Sequence, residues 1–203
     1  MLENIKWLGH ASFKIINEKI IYIDPWNLKK KAYADIILIT HPHYDHLSVE
    51  DISKIQTKET VIVTTADGAE KLKGNIKRVK PGDLLTVKEV KIEVVPAYNI
   101  GKNFHPKENG WVGFIIEVGG KTIYHSGDTD FIPEMEKIKV DVALLPIGGT
   151  YTMSAEEAVK AAKAINPKVA IPMHYGDIVG SIEDAERFKK MSPVKVEILK
   201  REE

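Results

Sequence analysis

Apolar and polar positions alternate through residues 2–8 and stop at Gly9, the period of a strand with one buried face. Residues 13–16 and 20–23 follow at hairpin spacing across a polar Asn17-Glu18-Lys19 turn. Asp24-Pro25 closes the third run, because the residue before proline is held extended and the ring ends sheet pairing. Residues 29–33 are polar and read as loop. The alternation then breaks: residues 35–40 are a nearly continuous apolar run, the pattern of a strand covered on both faces. Ser48-Val49-Glu50-Asp51 resembles a capping box with Asp in place of Glu and predicts a short helix through Ile55. A strand at 61–63, a short helix at 66–72, a Pro81-Gly82-Asp83 turn and strands at 84–87 and 90–95 complete the first half.

Residues 98–110 have no period and are rich in Asn, Gly, Pro and charge; irregular segments of that length tend to carry function. Residues 111–118 and 121–124, joined by Gly119-Gly120, predict a hairpin. Pro133 in a first turn predicts a helix over 131–138, followed by a buried strand at 140–145. Ser154-Ala155-Glu156-Glu157 is a full capping box, and Ala155, Ala158, Ala162 and Ile165 recur at helical spacing until Asn166-Pro167. A strand at 169–171, a helix at 181–191 and a final strand at 194–199 close the chain. Strands dominate early and alternate with helices later, which predicts a layered α/β sandwich with helices outside two packed sheets. The 203 residues contain no linker or low-complexity stretch, so one domain over 1–203 is expected.

Composition narrows the chemistry. There is no cysteine, which excludes disulfides, thiolate metal sites and cysteine nucleophiles. Lys plus Arg equals Asp plus Glu, and Lys29-Lys30-Lys31 is the longest block of one charge; this disfavours nucleic acid as a partner. No apolar run approaches the ~20 residues of a membrane span, and residues 1–6 lack the basic-then-apolar order of a signal peptide. These features predict a soluble, cytoplasmic protein, with the oligomeric state left open.

Three apolar strands run directly into metal-competent residues. The first is followed by His41, His43, Asp45 and His46, the second by His125 and Gly127-Asp128-Thr129, and the third by Pro172-Met173-His174. If these strand ends share an edge, the groups converge. A catalytic zinc uses about three protein ligands, so this donor count, with Asp128 able to offer two oxygens, predicts two ions about 3.5–4 Å apart.

His41-x-His43-x-Asp45-His46 resembles the signature of the metallo-β-lactamase superfamily of hydrolases. Gly127-Asp128-Thr129 resembles its bridging aspartate and Pro172-Met173-His174-Tyr175 its last histidine. Trp7-Leu8-Gly9-His10-Ala11, Asp24-Pro25-Trp26 and the 146–152 segment resemble the subgroup that includes ascorbate-6-phosphate lactonases and N-acyl-phosphatidylethanolamine phospholipases. The resemblance implies a four-layer αββα sandwich with the site at one edge of the sheets. It implies His41, His43, Asp45, His46, Asp128 and His174 as metal ligands, and zinc as the default ion, with manganese or iron admissible. One departure stands out: Asn99 occupies a position where the family has a ligand histidine, and His105, six residues on, is the alternative donor. If neither binds, a single ion results.

The expected reaction is metal-assisted hydrolysis at a carbonyl or phosphoryl centre, with Asp45 orienting the attacking water. A lactone or a phosphorylated metabolite is the substrate expected from the subgroup. The alternatives are an RNA-directed metallo-nuclease and a non-catalytic metal-binding or sensing module, the latter favoured by Asn99. Tyr98, Asn99, His105 and Lys107 on the irregular segment are candidates for substrate contact. His10 and His125 either hydrogen-bond a ligand carboxylate or are structural, and Asp24 either orients a ligand or ends its strand. Trp7, Trp26 and Trp111 read as core or rim packing.

Overall fold

The alternating N-terminal segments fold as a meander, and the apolar runs after them become parallel inner strands. A computed structural model describes residues 2–202. The first sheet has the spatial order β1 (Ile5–Gly9), β2 (Ser12–Ile16), β3 (Ile20–Ile23), β4 (Ile36–Ile39), β5 (Val61–Thr64), β6 (Asn75–Arg78). Its first three strands pair antiparallel and the rest parallel. The second sheet contains β7 (Leu84–Val87), β8 (Val90–Pro96), β9 (Val112–Val118), β10 (Lys121–His125), β11 (Val142–Pro146) and β12 (Val169–Met173). Here β7 to β10 are antiparallel, and β11 and β12 continue parallel to β10.

Period-two burial places Phe13, Ile15, Ile21, Ile23, Ile36 and Leu38 inward, in one core with Ile92, Val94, Phe114 and Ile116 of the second sheet. The other face of β4 and β5 packs on α1 (Val49–Ile55) through Ile37, Ile39, Ile62, Ile52 and Ile55. A short α2 (Ala66–Ala69) follows β5. On the far side, α3 (Ala155–Ile165) lies against β11, and α4 (Ile182–Met191) packs on α3. The layers are therefore helix, sheet, sheet, helix, as the sequence predicts. Both expected caps are made: Ser48 Oγ accepts from the Asp51 N–H, and Ser154 and Glu157 form a reciprocal box.

Two local expectations need correction, and one strand goes unpredicted. Residues 131–138 form a 3-10 turn at Pro133–Lys137 rather than an α-helix. Ile132, Met135 and Ile138 are the buried positions, and spacing of three suits three residues per turn. Residues 194–199 pair with β12 only at the single bridge Ala170–Val196 and leave charged neighbours outward, which blunts the sheet edge. The strand Asn75–Arg78 is not evident in the sequence because three of its four side chains are polar and exposed, with only Ile76 packed inward; ladder bonds to β5 hold it.

Candidate metal centre

The carboxyl ends of β4, β10 and β12 open on one side of the molecule, and the turns after them bring the donors together. His10, Asp45, His46 and His174 have donor atoms within 4.8 Å of one another; so do His41, His43 and His105, and His41, His46 and Asp128. The first and third groups share His46 and the second and third share His41, so the donors form one continuous cluster. Apart from His43, which is half-buried, every member is buried.

Asp24 organises the first loop. It is fully buried, and its Oδ1 accepts the Thr40 N–H at 2.8 Å. Its Oδ2 accepts the Thr40 hydroxyl at 2.7 Å and His46 Nδ1 at 2.7 Å. A histidine whose Nδ1–H is spent on a carboxylate presents Nε2 as an acceptor, and His46 Nε2 faces Asp128 Oδ1 at 3.3 Å. Asp24 therefore orients a site histidine as well as ending its strand.

Asp128 sits at the centre. Gly127 takes φ 64°, and a Cβ there would lie 2.7 Å from the Val112 carbonyl, so only glycine lets this turn approach β9. Asp128 Oδ2 lies 2.9 Å from His174 Nε2 and 3.3 Å from His105 Nε2. None of its approaches to histidine is aligned as a hydrogen bond: Asp128 Oδ1 and the Nε2 atoms of His46, His105 and His174 are buried without hydrogen-bond partners. Groups of this kind are costly to bury unless something between them completes their coordination.

The irregular 98–110 segment ties Asn99 to its neighbours. Asn99 is not free to ligate: its Oδ1 accepts from the His105 N–H and lies 3.0 Å from His105 Nδ1, and its amide donates to Asp130 Oδ1 and to the Tyr151 carbonyl. His105 is thereby held with Nε2 toward Asp128, and it groups with His41 and His43. Asp130 anchors the segment through the Ile100 N–H and Lys102.

The other predicted residues divide. His10 Nε2 lies 3.0 Å from Asp45 Oδ2, and its ring packs 3.9 Å from that of His174, so His10 belongs to the cluster. His125 does not: Nε2 donates to the Ala11 carbonyl and Nδ1 accepts from the Gly127 N–H, which commits both nitrogens to backbone. Tyr98 is buried in the core, its hydroxyl donating to Glu134 and accepting from Lys107, so neither Tyr98 nor Lys107 joins the cluster. Trp111, read as packing, proves to be a wall of the site. Its ring lies 5.0 Å from His41 and 4.8 Å from His43, and its N–H is tied to Asp67 at 2.8 Å. No local signal marks it, because the contact is made across the two sheets.

The electrostatics suit cation binding. Burial, reinforced by neighbouring imidazoles, holds His41 well below the ordinary histidine value, and therefore neutral. Burial alone would raise Asp128, yet the charges of His174 and His46 outweigh it and hold the carboxyl well below its usual range. Asp45 is likewise pushed up by burial but brought down to about 2 by the hydrogen bond from His10 and the charge of His46. Burial alone would lower His46, yet the charges of Asp128 and Asp24 outweigh it and hold the imidazole well above its ordinary value, so a cation bound there must displace its proton.

Comparison with known proteins agrees with this geometry. Residues 4–174 match the family model described as "Beta-lactamase superfamily domain". A UPF0173 metal-dependent hydrolase of Staphylothermus marinus is 37% identical, covering 97% of this chain and 95% of its own length. One from Thermoplasma acidophilum is 36% identical over 94% of this chain and 92% of its own. The solved structure of Igni18, a metallo hydrolase from Ignicoccus hospitalis, superposes with a TM-score of 0.82 at 28% identity, covering 98% of this chain and 95% of that one.

Proposed function

This chain belongs to the beta-lactamase superfamily and is a metal-dependent hydrolase, and from that premise we propose that it cleaves a carbonyl or phosphoryl bond of a small molecule, a lactone or a phosphorylated metabolite, at a two-zinc centre. His41, His43 and His105 would hold one ion, and Asp45, His46 and His174 the other, with Asp128 offering an oxygen to each. The observation that carries this reading is the set of buried donor atoms left without hydrogen bonds, His46 Nε2, His105 Nε2, His174 Nε2 and Asp128 Oδ1. Zinc is the ion proposed because an all-His/Asp donor set suits it; manganese and iron accept the same donors.

A bound ion supplies Lewis acidity at a substrate oxygen and lowers the pKa of water in contact with it toward ~7. The chain supplies the rest. Asp45 is anionic at neutral pH, and His10 holds its Oδ2, so the carboxylate is oriented to accept a proton from the attacking water. The Trp111 ring packs against His41 and His43 and walls one side of the cluster. Substrate enters on the side of His43, where Tyr44 is 67% exposed.

Metal analysis of the purified protein should find one to two ions per chain, and His43→Ala should lower that number. A screen of lactone, phosphomonoester, phosphodiester and thioester substrates should give metal-dependent turnover that Asp45→Ala abolishes. Metal bound in full with no turnover on any of them would overturn the proposal. Asn99→Ala, which removes the acceptor holding His105, should weaken zinc binding about 10–100-fold, the usual cost of losing a ligand's hydrogen-bond partner. Equilibrium titration with a zinc indicator measures it, and unchanged affinity would show that His105 does not bind zinc.

A further inference from the structure

Two members of the donor cluster sit on strained backbone. His10 and His174 have φ of 50° and 59°, the left-handed region that a side chain enters where its surroundings over-determine it. His10 follows β1 and His174 follows β12, which are edge strands of different sheets. No ladder joins the two turns directly, so other contacts set their spacing.

Some of those contacts are made by the turns themselves. The His10 carbonyl accepts the His174 N–H and the Trp7 indole N–H, both at 2.9 Å. The Trp7 ring stacks on that of Tyr175, with centroids 4.9 Å apart and an interplanar angle of 21°. The imidazoles of His10 and His174 end 3.9 Å from centroid to centroid.

Others come from residues 195–202, which run from one sheet edge to the other. The segment bridges β12 at Ala170–Val196 and β1 at Trp7–Arg201, and the Glu202 N–H donates to the Trp7 carbonyl at 2.8 Å. Within it Arg201 reaches both turns at once: Nε donates to the Leu8 carbonyl and Nη1 to Asp177 Oδ1, each at 2.9 Å. Leu8 lies two residues before His10, and Asp177 three after His174. A Cβ at Gly9 would fall on the guanidinium, so this glycine leaves the space that the side chain occupies. The planar fork of an arginine holds two acceptors in a fixed relation, which a lysine ammonium does not.

We propose that Arg201 is a positioning residue of the metal centre: it clamps the turn of Leu8 and His10 to the turn of His174 and Asp177, and so fixes the place of the ion assigned above to Asp45, His46 and His174. The inference rests on that two-ion reading. His10 Nε2 lies 3.0 Å from Asp45 Oδ2, and His174 Nε2 lies 2.9 Å from Asp128 Oδ2, so a shift of either turn moves a carboxylate or a ligand nitrogen. His41, His43 and His105 stand on the loop after β4 and on the 98–110 segment, neither of which joins the clamp. The effect of Arg201 is therefore confined to one of the two ions.

The test is chelator competition on the zinc-loaded protein, which resolves the affinity of each ion, together with the visible absorption of the cobalt-loaded protein. His43→Ala, which weakens the other ion, assigns the two steps. Arg201→Met and Asp177→Ala should each weaken the ion that His43→Ala spares by about tenfold, the lower end of the cost of losing a ligand's outer partner, and should alter its cobalt band. The double variant should lose no more than either single one, because both cut the same clamp. Arg201→Lys, which keeps one donor, should fall between Arg201→Met and the unmodified chain. A partly exposed ion pair contributes little to global stability, so the urea midpoint with the ions removed should barely move. A lowered midpoint with zinc affinity and cobalt band unchanged would overturn the proposal, as would equal losses for both ions or additive losses in the double variant. A single zinc step in the unmodified protein would refute the two-ion reading instead; the clamp then stands or falls on the same tenfold loss at that step.

Discussion

Asp128→Asn is expected to reduce zinc affinity by more than about a hundredfold and to abolish turnover. The amide offers one oxygen where the carboxylate offers two, and it cannot carry the negative charge that offsets two cations; even the partners of ligands cost 10–100-fold when removed. The surroundings sharpen the effect. Asp128 is buried, with three Nε2 atoms 2.9–3.3 Å from its oxygens, and an amide N–H placed there would face imidazole nitrogens. A pH signature accompanies it. In the ion-free chain the Asp128 carboxyl is held well below the ordinary range, so its stabilisation is present above the unfolded value of about 4 and is lost as the pH falls through the folded one. Asp128→Asn removes that dependence. Thermal melts with and without zinc measure both: the unmodified protein should gain melting temperature on zinc addition, and the variant should not. A variant that still melts higher with zinc and retains its metal would show that Asp128 is not a ligand.

Asp24→Ala should be the most destabilising single change at the site, although Asp24 touches no proposed metal position. Its carboxylate, with no exposed surface, satisfies the Thr40 N–H, the Thr40 hydroxyl and His46 Nδ1. Removing it leaves the Thr40 N–H and His46 Nδ1 unpaired at about 1–3 kcal/mol each and the Thr40 hydroxyl with His41 Nδ1 as its remaining partner. Allowing for partial relaxation, a loss of roughly 3–5 kcal/mol is expected, a large part of the ~5–15 kcal/mol of a typical domain. His46 also loses the bond that sets its tautomer, so zinc affinity should fall along with the urea midpoint. Asp24→Asn, which keeps the volume and one acceptor oxygen, should lie between the two. A midpoint within experimental error of the unmodified protein for Asp24→Ala would contradict this account.

The site was partly legible because part of it is local. His41, His43, Asp45 and His46 lie within six residues after an apolar strand, so their proximity follows from covalent geometry, and the full length of the family match agrees with the recognition they allowed. The two-sheet sandwich was legible because period-two and continuous apolar runs distinguish half-buried from fully buried strands. Strand Asn75–Arg78 was not, since hydrogen bonding to a neighbour rather than its own side chains makes it a strand.

By itself, then, the sequence determined the layers, the helix caps and the donor types, because periodicity, capping and ligand chemistry are properties of residues and their near neighbours. Tertiary structure decided which nitrogen of each histidine faces inward and which histidines take part at all. Asn99 became the support of His105, His10 joined Asp45, and His125 was spent on the backbone. A ring nitrogen's role is set by the hydrogen bond its other nitrogen makes, and for His46, Asp24 as that partner lies 22 residues away along the chain.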